Sequence, residues 1–560
     1  MSEELKNRIL QATGRKIADT VIRNVRIFHL TDGSIEKGDI AIADGKILGI
    51  AEHYDGQQII EGNGCFAVPG FIDSHVHLES SMLTPYAYER CVLPRGTTSV
   101  VTDPHELANV FGLDAIRYYL DCADTSILDF AVKLSSCVPA TSLETSGAIL
   151  TAKDLAPFRN LSHIAGLGEF MNFPGVLQLD PECLAKLDTF RDSIIDGHAP
   201  FLRGRDLCAY IGCGIYNCHE VTSFEEGVEK LRRGMHILIR QGSATRNLAM
   251  LAPLLTLKTS PFIALCSDDR NILDLTTGGH IDGMIRQLIS LGVAPLAAYR
   301  AASWSAATTF QLPRKGLLIP GYQADIVLVG DLDTCDVQMV IKSGKRVDTA
   351  LFDAEKQVPI PQNFLNSVRC RQLTASDFSP CGATYSHAME IQPSLSTGDF
   401  FISPPLNGDF RAAGFLKMAV IERHGKNNNI AIAPVKGFDC FEGALASTVA
   451  HDSHNLCIIG SDDESMAIAA NHIIAIQGGQ VAVQNGRVAA EIALPIGGLL
   501  SNQGASELLV QQRQMHDFFQ KNHFTLADPL MILSFLALPV IPHLKLTDRG
   551  LVDVFQQKFV

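Results

Sequence analysis

Apolar and polar positions alternate with a period of two in two separated parts of the chain, and between them the pattern changes. Residues 21–28, 39–43 and 46–50 read as short strands, and Asp44-Gly45 between the last two marks a two-residue hairpin. A matching piece recurs at 324–329, 337–341 and 345–347, with Ser343-Gly344 at its turn. Strand-rich groups on either side of a long central stretch predict one small β-sandwich domain built from residues 1–68 and 317–365. Residues 1–20 read as a short amphipathic helix leading into it.

Residues 69–316 alternate short apolar runs with helical stretches. The runs fall at 98–102, 130–134, 164–168, 207–212 and 263–266, and the helical spacing at 224–233 and 294–310. Such alternation, sustained over roughly 250 residues, predicts an α/β fold of the (β/α)8 barrel type with its active site at the C-terminal ends of the strands. Residues 366–560 combine apolar runs at 419–423, 457–460 and 481–488 with a helical stretch at 463–476, and read as a C-terminal α+β domain. No tandem repeat or low-complexity tract interrupts the chain.

Composition narrows the function classes. A chain of 560 residues exceeds one ordinary core, so several domains are expected. The 46 basic and 60 acidic side chains leave a net charge of −14, which argues against a nucleic-acid surface. Nowhere do 18 apolar residues run together, so no membrane span is expected. The 14 cysteines have no CxxC pair and no spacing framework, and the first residues carry charges without a signal-peptide core. A reduced, cytoplasmic setting follows, with a homodimer as the commonest arrangement for such a chain.

The chemistry begins with His75 and His77, which follow the break at Pro69-Gly70. At a strand end, residues i and i+2 point to one side, so both imidazoles can face one metal ion. His-x-His alone is a weak motif, and a polar pocket is the plain alternative. Further polar residues follow other apolar runs: Asp103, His105 and Glu106 after 98–102, Glu169 after 164–168, His198, His219, and Asp268-Asp269-Arg270 after 263–267. Singly, each has a plain explanation as a cap or a loop residue. Together at successive strand ends, four histidines, a glutamate and an aspartate fit a dinuclear metal centre.

At this point the chain resembles the amidohydrolase superfamily, and within it the bacterial adenine deaminase family. The matching stretches are PGFIDSHVHLESSM (69–82), TDPHE (102–106), SSCVPA (135–140), DGHAP (196–200), NCHE (217–220), CSDDRN (266–271), GHIDGMIR (279–286), ASWSAA (302–307) and HDSHN (451–455). They reach into all three regions. The resemblance implies hydrolytic deamination of adenine to hypoxanthine and ammonia in purine salvage, by a metal-activated water attacking C6. It implies two divalent ions, Mn or Fe with Zn admissible, held by His75, His77, Glu169, His198, His219 and Asp268. Many superfamily members bridge their metals with a modified lysine. Here Glu169 stands at that place; Glu106 is its competitor, and Lys133 lies mid-run.

Asp268 is the expected base and proton shuttle. Glu106 is expected either to donate a proton to the ring nitrogen N1, which needs a raised pKa, or to orient His105 or a metal ligand. Asp269, Arg270 and Ser81 are the expected substrate-binding residues; a salt bridge for Arg270 and a helix-start role for Ser80 and Ser81 are their plain alternatives. The role of His280 stays open. His451, Asp452 and His454 are accessory candidates that close the pocket, hold an extra metal ion, or simply form a hydrogen-bonded loop. Two other functions compete: a different amidohydrolase reaction in the same site, and a non-catalytic metal-binding barrel.

Overall fold

The computed structural model describes residues 3–560 apart from 244, 380–383, 393–396, 407–409, 440 and 542. After a helix at Glu3–Ala12 come five strands: β1 (Ala18–Phe28), β2 (Ile35–Ala43), β3 (Lys46–Ala51), β4 (Gly56–Glu61) and β5 (Phe66–Pro69). The first two positions of the expected N-terminal helix lie outside the described residues. Asp44 and Gly45, at φ 51° and 69°, make the turn between β2 and β3 in the left-handed conformation that Asp-Gly accepts readily.

Eight parallel strands follow: β6 (Phe71–Val76), β7 (Thr97–Thr102), β8 (Asp129–Leu134), β9 (Ile164–Phe170), β10 (Ile195–Gly197), β11 (Asn217–Cys218), β12 (His236–Arg240) and β13 (Ile263–Cys266). They form a five-stranded sheet, β6 to β10, and a three-stranded sheet, β11 to β13. Single parallel bridges from Ile195 to Ile215 and from Val76 to Asp268 join the two sheets, so the eight strands close into a (β/α)8 barrel.

Two expectations change here. Residues 207–212 are not a strand but the end of the helix Gly204–Gly212, whose buried Leu207 and Tyr210 are three apart, the spacing of one helix face. The strand His236–Arg240 takes a place in the barrel instead. Residues 294–310 form two helices, Pro295–Ala301 and Trp304–Thr309, rather than one.

Beyond the barrel, β14 (Ile326–Val329), β15 (Val337–Lys342) and β16 (Lys345–Arg346) return to the first sheet, where β14 pairs antiparallel with β5. The resulting eight-stranded sheet gathers Ile22, Ile40, Ile47, Ile60, Ile326 and Ile341 into one apolar cluster, as the two faces of a sandwich would.

The last region contains an eight-stranded sheet in which β17 (Ala444–Ser447) lies beside β18 (Leu456–Gly460). Three of its other strands are Leu416–Ile421, Gly479–Gln484 and Arg487–Ala493. The helix Asp463–Ile476 covers one face and is capped by Asp462, whose side chain accepts from Ser465 N. Residues 448–455, between β17 and β18, reach the barrel. Asn455 Nδ2 donates to Thr145 O at 2.8 Å and Asp548 Oδ1 accepts from Thr145 N at 2.8 Å, so the loop after β8 is pinned under this region.

Candidate active site

The barrel presents its polar residues at the C-terminal strand ends because each apolar run stops there. His75 lies within β6 and His77 just beyond it, Glu169 lies near the end of β9, and His198, His219 and Asp268 follow β10, β11 and β13. All six are buried except His198, whose side chain is 19 % exposed. Asp268 has φ 53°, a left-handed conformation that Asp tolerates better than most residues, and its N–H donates to His75 O at 3.0 Å.

Glu169 is the centre of the arrangement. Its Oε1 lies 3.0 Å from His77 Nε2, 3.4 Å from His105 Nδ1 and 3.9 Å from His75 Nε2. Its Oε2 lies 2.5 Å from His198 Nδ1 and 3.2 Å from His219 Nε2. Burial opposes its charge, but His198, His219 and His77 outweigh that and hold its pKa well below the usual carboxylate range. Gly168 makes the approach feasible: a Cβ there would sit 1.9 Å from Asp103 Oδ2, the oxygen that accepts from Glu169 N at 3.0 Å. Asp103 also accepts from the Ser135 hydroxyl at 2.8 Å.

The imidazole nitrogens fit a metal centre. His77 Nδ1 faces the Asp103 carbonyl at 3.0 Å, and a carbonyl only accepts, so the neutral ring keeps its proton on Nδ1 and Nε2 is the nitrogen it can offer a metal in place of a second proton. His75 Nε2 and His77 Nε2 are 3.0 Å apart. His75 Nδ1 and both ring nitrogens of His219 are buried without a hydrogen-bond partner among the described residues. His75, His77 and Glu169 form one candidate ligand group, and His75, His219 and Asp268 another. Bare nitrogens and carboxylates converging in this way suit Mn, Fe or Zn.

Asp268 Oδ1 lies 3.3 Å from His75 Nε2 and 3.4 Å from His77 Nε2, while Oδ2 is held by Arg240 Nη1 at 2.9 Å. Arg240, the last residue of β12, also pairs with Glu220. It is absent from the expected set, although a charged residue closing the run His-Ile-Leu-Ile-Arg obeys the same strand-end rule. Lys133 points into the barrel interior, fully buried, and pairs with Asp196 Oδ1 at 3.0 Å. His280, whose role was open, supports the opening pair: its Nε2 lies 2.9 Å from Asp73 Oδ2, and Asp73 accepts from Ser267 N at 3.0 Å.

The residues expected at the substrate have hydrogen-bond partners within the chain. Ser81 spends its hydroxyl on Leu78 O at 2.7 Å, the local turn role, whereas Ser80 donates to Asp269 Oδ1 at 2.5 Å. Arg270 makes no ion pair among the described residues; it donates to the Gln241 carbonyl at 2.7 Å.

A second cluster adjoins the first and draws on the C-terminal region. Glu106 Oε1 lies 2.6 Å from His451 Nδ1 and 3.3 Å from His105 Nε2, and His454 Nε2 contacts Glu106 Oε2. Asp452 Oδ1 lies 3.9 Å from both His105 Nε2 and His451 Nδ1. The raised pKa that Glu106 would need as an acid is not what its surroundings favour. Burial pushes upward, but His451, His454 and His105 outweigh it and hold the carboxyl well below its ordinary value. Nor does His454 suit an extra metal ion. Its Nδ1 accepts from Ala450 N at 3.1 Å, so the neutral ring carries its proton on Nε2, the nitrogen that meets Glu106. Burial, against Glu106, pushes its pKa down to about 4, which keeps it neutral.

Comparison with known proteins agrees with this geometry. The Amidohydrolase family model matches residues 66–347, and the model of the adenine deaminase C-terminal domain matches residues 396–558. Adenine deaminase 1 of Rhizobium meliloti (strain 1021) is 48% identical over 560 residues, 99% of each chain. The chain belongs to the adenine deaminase family. The adenine deaminases of Sinorhizobium fredii and Brucella melitensis biotype 1 are 48% and 47% identical, covering 99% and 98% of this chain and 99% and 95% of theirs. Solved structures are remote in comparison. An enamidase of the amidohydrolase superfamily is 15% identical with a TM-score of 0.44, covering 58% of this chain and 95% of that one.

Proposed function

We propose that this adenine deaminase family member hydrolyses adenine to hypoxanthine and ammonia at the barrel mouth, where Glu169 would be central to holding two divalent ions. The observation that carries the reading is the position of Glu169, one buried carboxylate meeting His77, His105, His198 and His219. One ion would be held by His75, His77 and Asp268 and the other by His198 and His219, with Glu169 shared. When bound, the ions lower the pKa of water so that a nucleophile is available near neutral pH.

The chain's own residues then manage protons and position. Arg240 fixes Asp268 Oδ2, which leaves Oδ1 facing inward as the atom that takes the proton from water and returns it to the departing amine. Water oxygen bonds to C6, the bond from C6 to the amino nitrogen breaks, that nitrogen leaves as ammonia with the proton from Asp268, and the second water proton passes from the C6 oxygen to N1 to give hypoxanthine. Glu106, held ionised by three imidazoles, is better suited to accept a hydrogen bond than to donate a proton to N1. Asp269, set by Ser80, lines the substrate side of the site.

The metal pair in this reading is Mn or Fe, since imidazole and carboxylate suit both. The substrate is a small purine, the role is purine salvage, and a cytoplasmic homodimer is the proposed state. Among the described residues no helix is long and apolar enough to cross a membrane. The experiment is ammonia release from adenine by Mn-loaded protein, with guanine and cytosine as controls. Turnover of adenine above both is expected, and no ammonia from adenine would overturn the reading.

A further inference from the structure

The cluster beside the metal centre has more acceptors than donors. Asp452 Oδ2 is buried and makes no hydrogen bond with the described residues, and both oxygens of Glu144 are in the same condition. Asp452 belongs to the segment between β17 and β18, yet its side chain joins His105 and Cys137 of the barrel in one group with ligand atoms within 4.8 Å of one another. The histidines here do not relieve the excess, because His454 is committed to Glu106 and His451 Nδ1 lies 2.6 Å from the same carboxylate. Leaving a buried acceptor unmade is costly, so the cluster is built to meet donors brought from outside.

Position narrows the donor. His105 spans the gap, with Nδ1 3.4 Å from Glu169 Oε1 and Nε2 3.9 Å from Asp452 Oδ1. Asp452 therefore stands one imidazole ring and two contacts away from the carboxylate at the centre of the metal site, so a purine lying beside the His105 ring, rather than in its place, would reach from one to the other. If C6 lies at the metal centre, the far, five-membered ring reaches Asp452, and that ring of a free base carries an N–H.

We propose that Asp452, contributed by the C-terminal region, accepts the imidazole-ring N–H of adenine and so selects the free base over purines substituted at that nitrogen. The inference rests on the reading of the barrel mouth as the place of adenine turnover. A site that offers a buried acceptor rejects a substrate lacking the N–H far more strongly than an apolar pocket would, because the acceptor is then left unpaired.

The test uses full-length, metal-loaded protein as wild type, Asp452→Ala and Asp452→Asn, assayed with adenine, 7-methyladenine and 9-methyladenine. Wild type is expected to prefer adenine over at least one methyl isomer by more than about 100-fold in kcat/KM. In Asp452→Ala, kcat/KM for adenine should fall about 100-fold, mainly through KM, and the preference should collapse. Asp452→Asn, whose carbonyl oxygen still accepts, should recover about tenfold of that loss. Binding of the three bases measured calorimetrically reads the same preference in wild type without turnover or a variant. If wild type releases no ammonia from adenine, the function reading falls, and the binding preference still decides the role of Asp452. The proposal is overturned by a preference that persists in Asp452→Ala, which would mean steric exclusion, by equal binding of all three bases, or by a third metal ion per chain that Asp452→Ala removes.

Discussion

His77 and His454 stand in neighbouring clusters, each against a buried glutamate, but their rings are wired in opposite senses. His77 Nδ1 donates to the carbonyl of Asp103 and leaves Nε2 as the nitrogen to offer a metal beside Glu169, whereas His454 Nδ1 accepts from the Ala450 amide and sends its Nε2 proton to Glu106. One backbone carbonyl and one backbone amide thus separate a nitrogen able to bind a metal from one able only to donate. Both clusters are buried and both are rich in His and carboxylate, so composition alone does not tell them apart. The lesson is that a histidine is read through the partner of its remote nitrogen.

The sharpest way to break this comparison is Glu169→Gln. If Glu169 joins two ions, removing its charge should lower activity by about 10³-fold or more and take bound metal, by elemental analysis, well below two per chain. Retention of both metals would leave the centre without its proposed bridge. Asp268→Asn comes next, with an expected loss of about 10²- to 10³-fold in kcat as the proton acceptor disappears. Metal content is the discriminating reading here. Metal kept with activity lost assigns Asp268 to proton transfer, while metal lost assigns it to ligation alone.

On the other side of the comparison, His454→Gln keeps a donor near Glu106 and should reduce activity by about tenfold or less. His454→Ala leaves a buried carboxylate short of a donor and should cost about tenfold more. Neither change should alter metal content. A drop in metal with either variant would mean that the two clusters act as one, and the tautomer argument would fail.

The first cluster was largely legible in the sequence, and the second was not. His75, His77, Glu169, His198, His219 and Asp268 each follow an apolar run, and a parallel barrel brings its strand ends together whatever the loops do. Arg240 obeys the same rule but closes a five-residue strand with polar ends, His236 and Arg240, that hide its short apolar run, while residues 207–212, apolar at helical spacing, resemble a strand when taken in isolation. The contact of His451, Asp452 and His454 with Glu106 and His105 joins positions about 350 residues apart and depends on one region docking on another, which local pattern does not encode. The tautomers are also beyond the sequence, because they depend on which backbone atom happens to face a ring. Likewise Ser80 and Ser81 are indistinguishable as letters, and only the turn at Leu78–Ser81 decides which hydroxyl reaches Asp269.

Lys545 supplies the control for the claim that unpartnered buried atoms point to ligands. Its Nζ is fully buried in the strand Leu544–Thr547 and has no hydrogen-bond partner among the described residues, and as an ammonium it has no lone pair to offer a metal. Burial pushes its pKa down from 10.5 to about 7. The unfolded chain therefore binds a proton that the folded chain does not between pH 7 and 10.5, so stability from this group rises with pH across that window. Below pH 7 the folded lysine is itself charged and the whole penalty is present. Lys545→Met should accordingly stabilise the protein by about 1–2 kcal/mol at pH 6, by less as pH approaches 10, and leave kinetic constants and metal content alone. Denaturant unfolding at the two pH values reads the difference. A variant that loses adenine turnover instead would make Lys545 part of the site, and the distinction between clustered acceptors and an isolated buried amine would have to be abandoned.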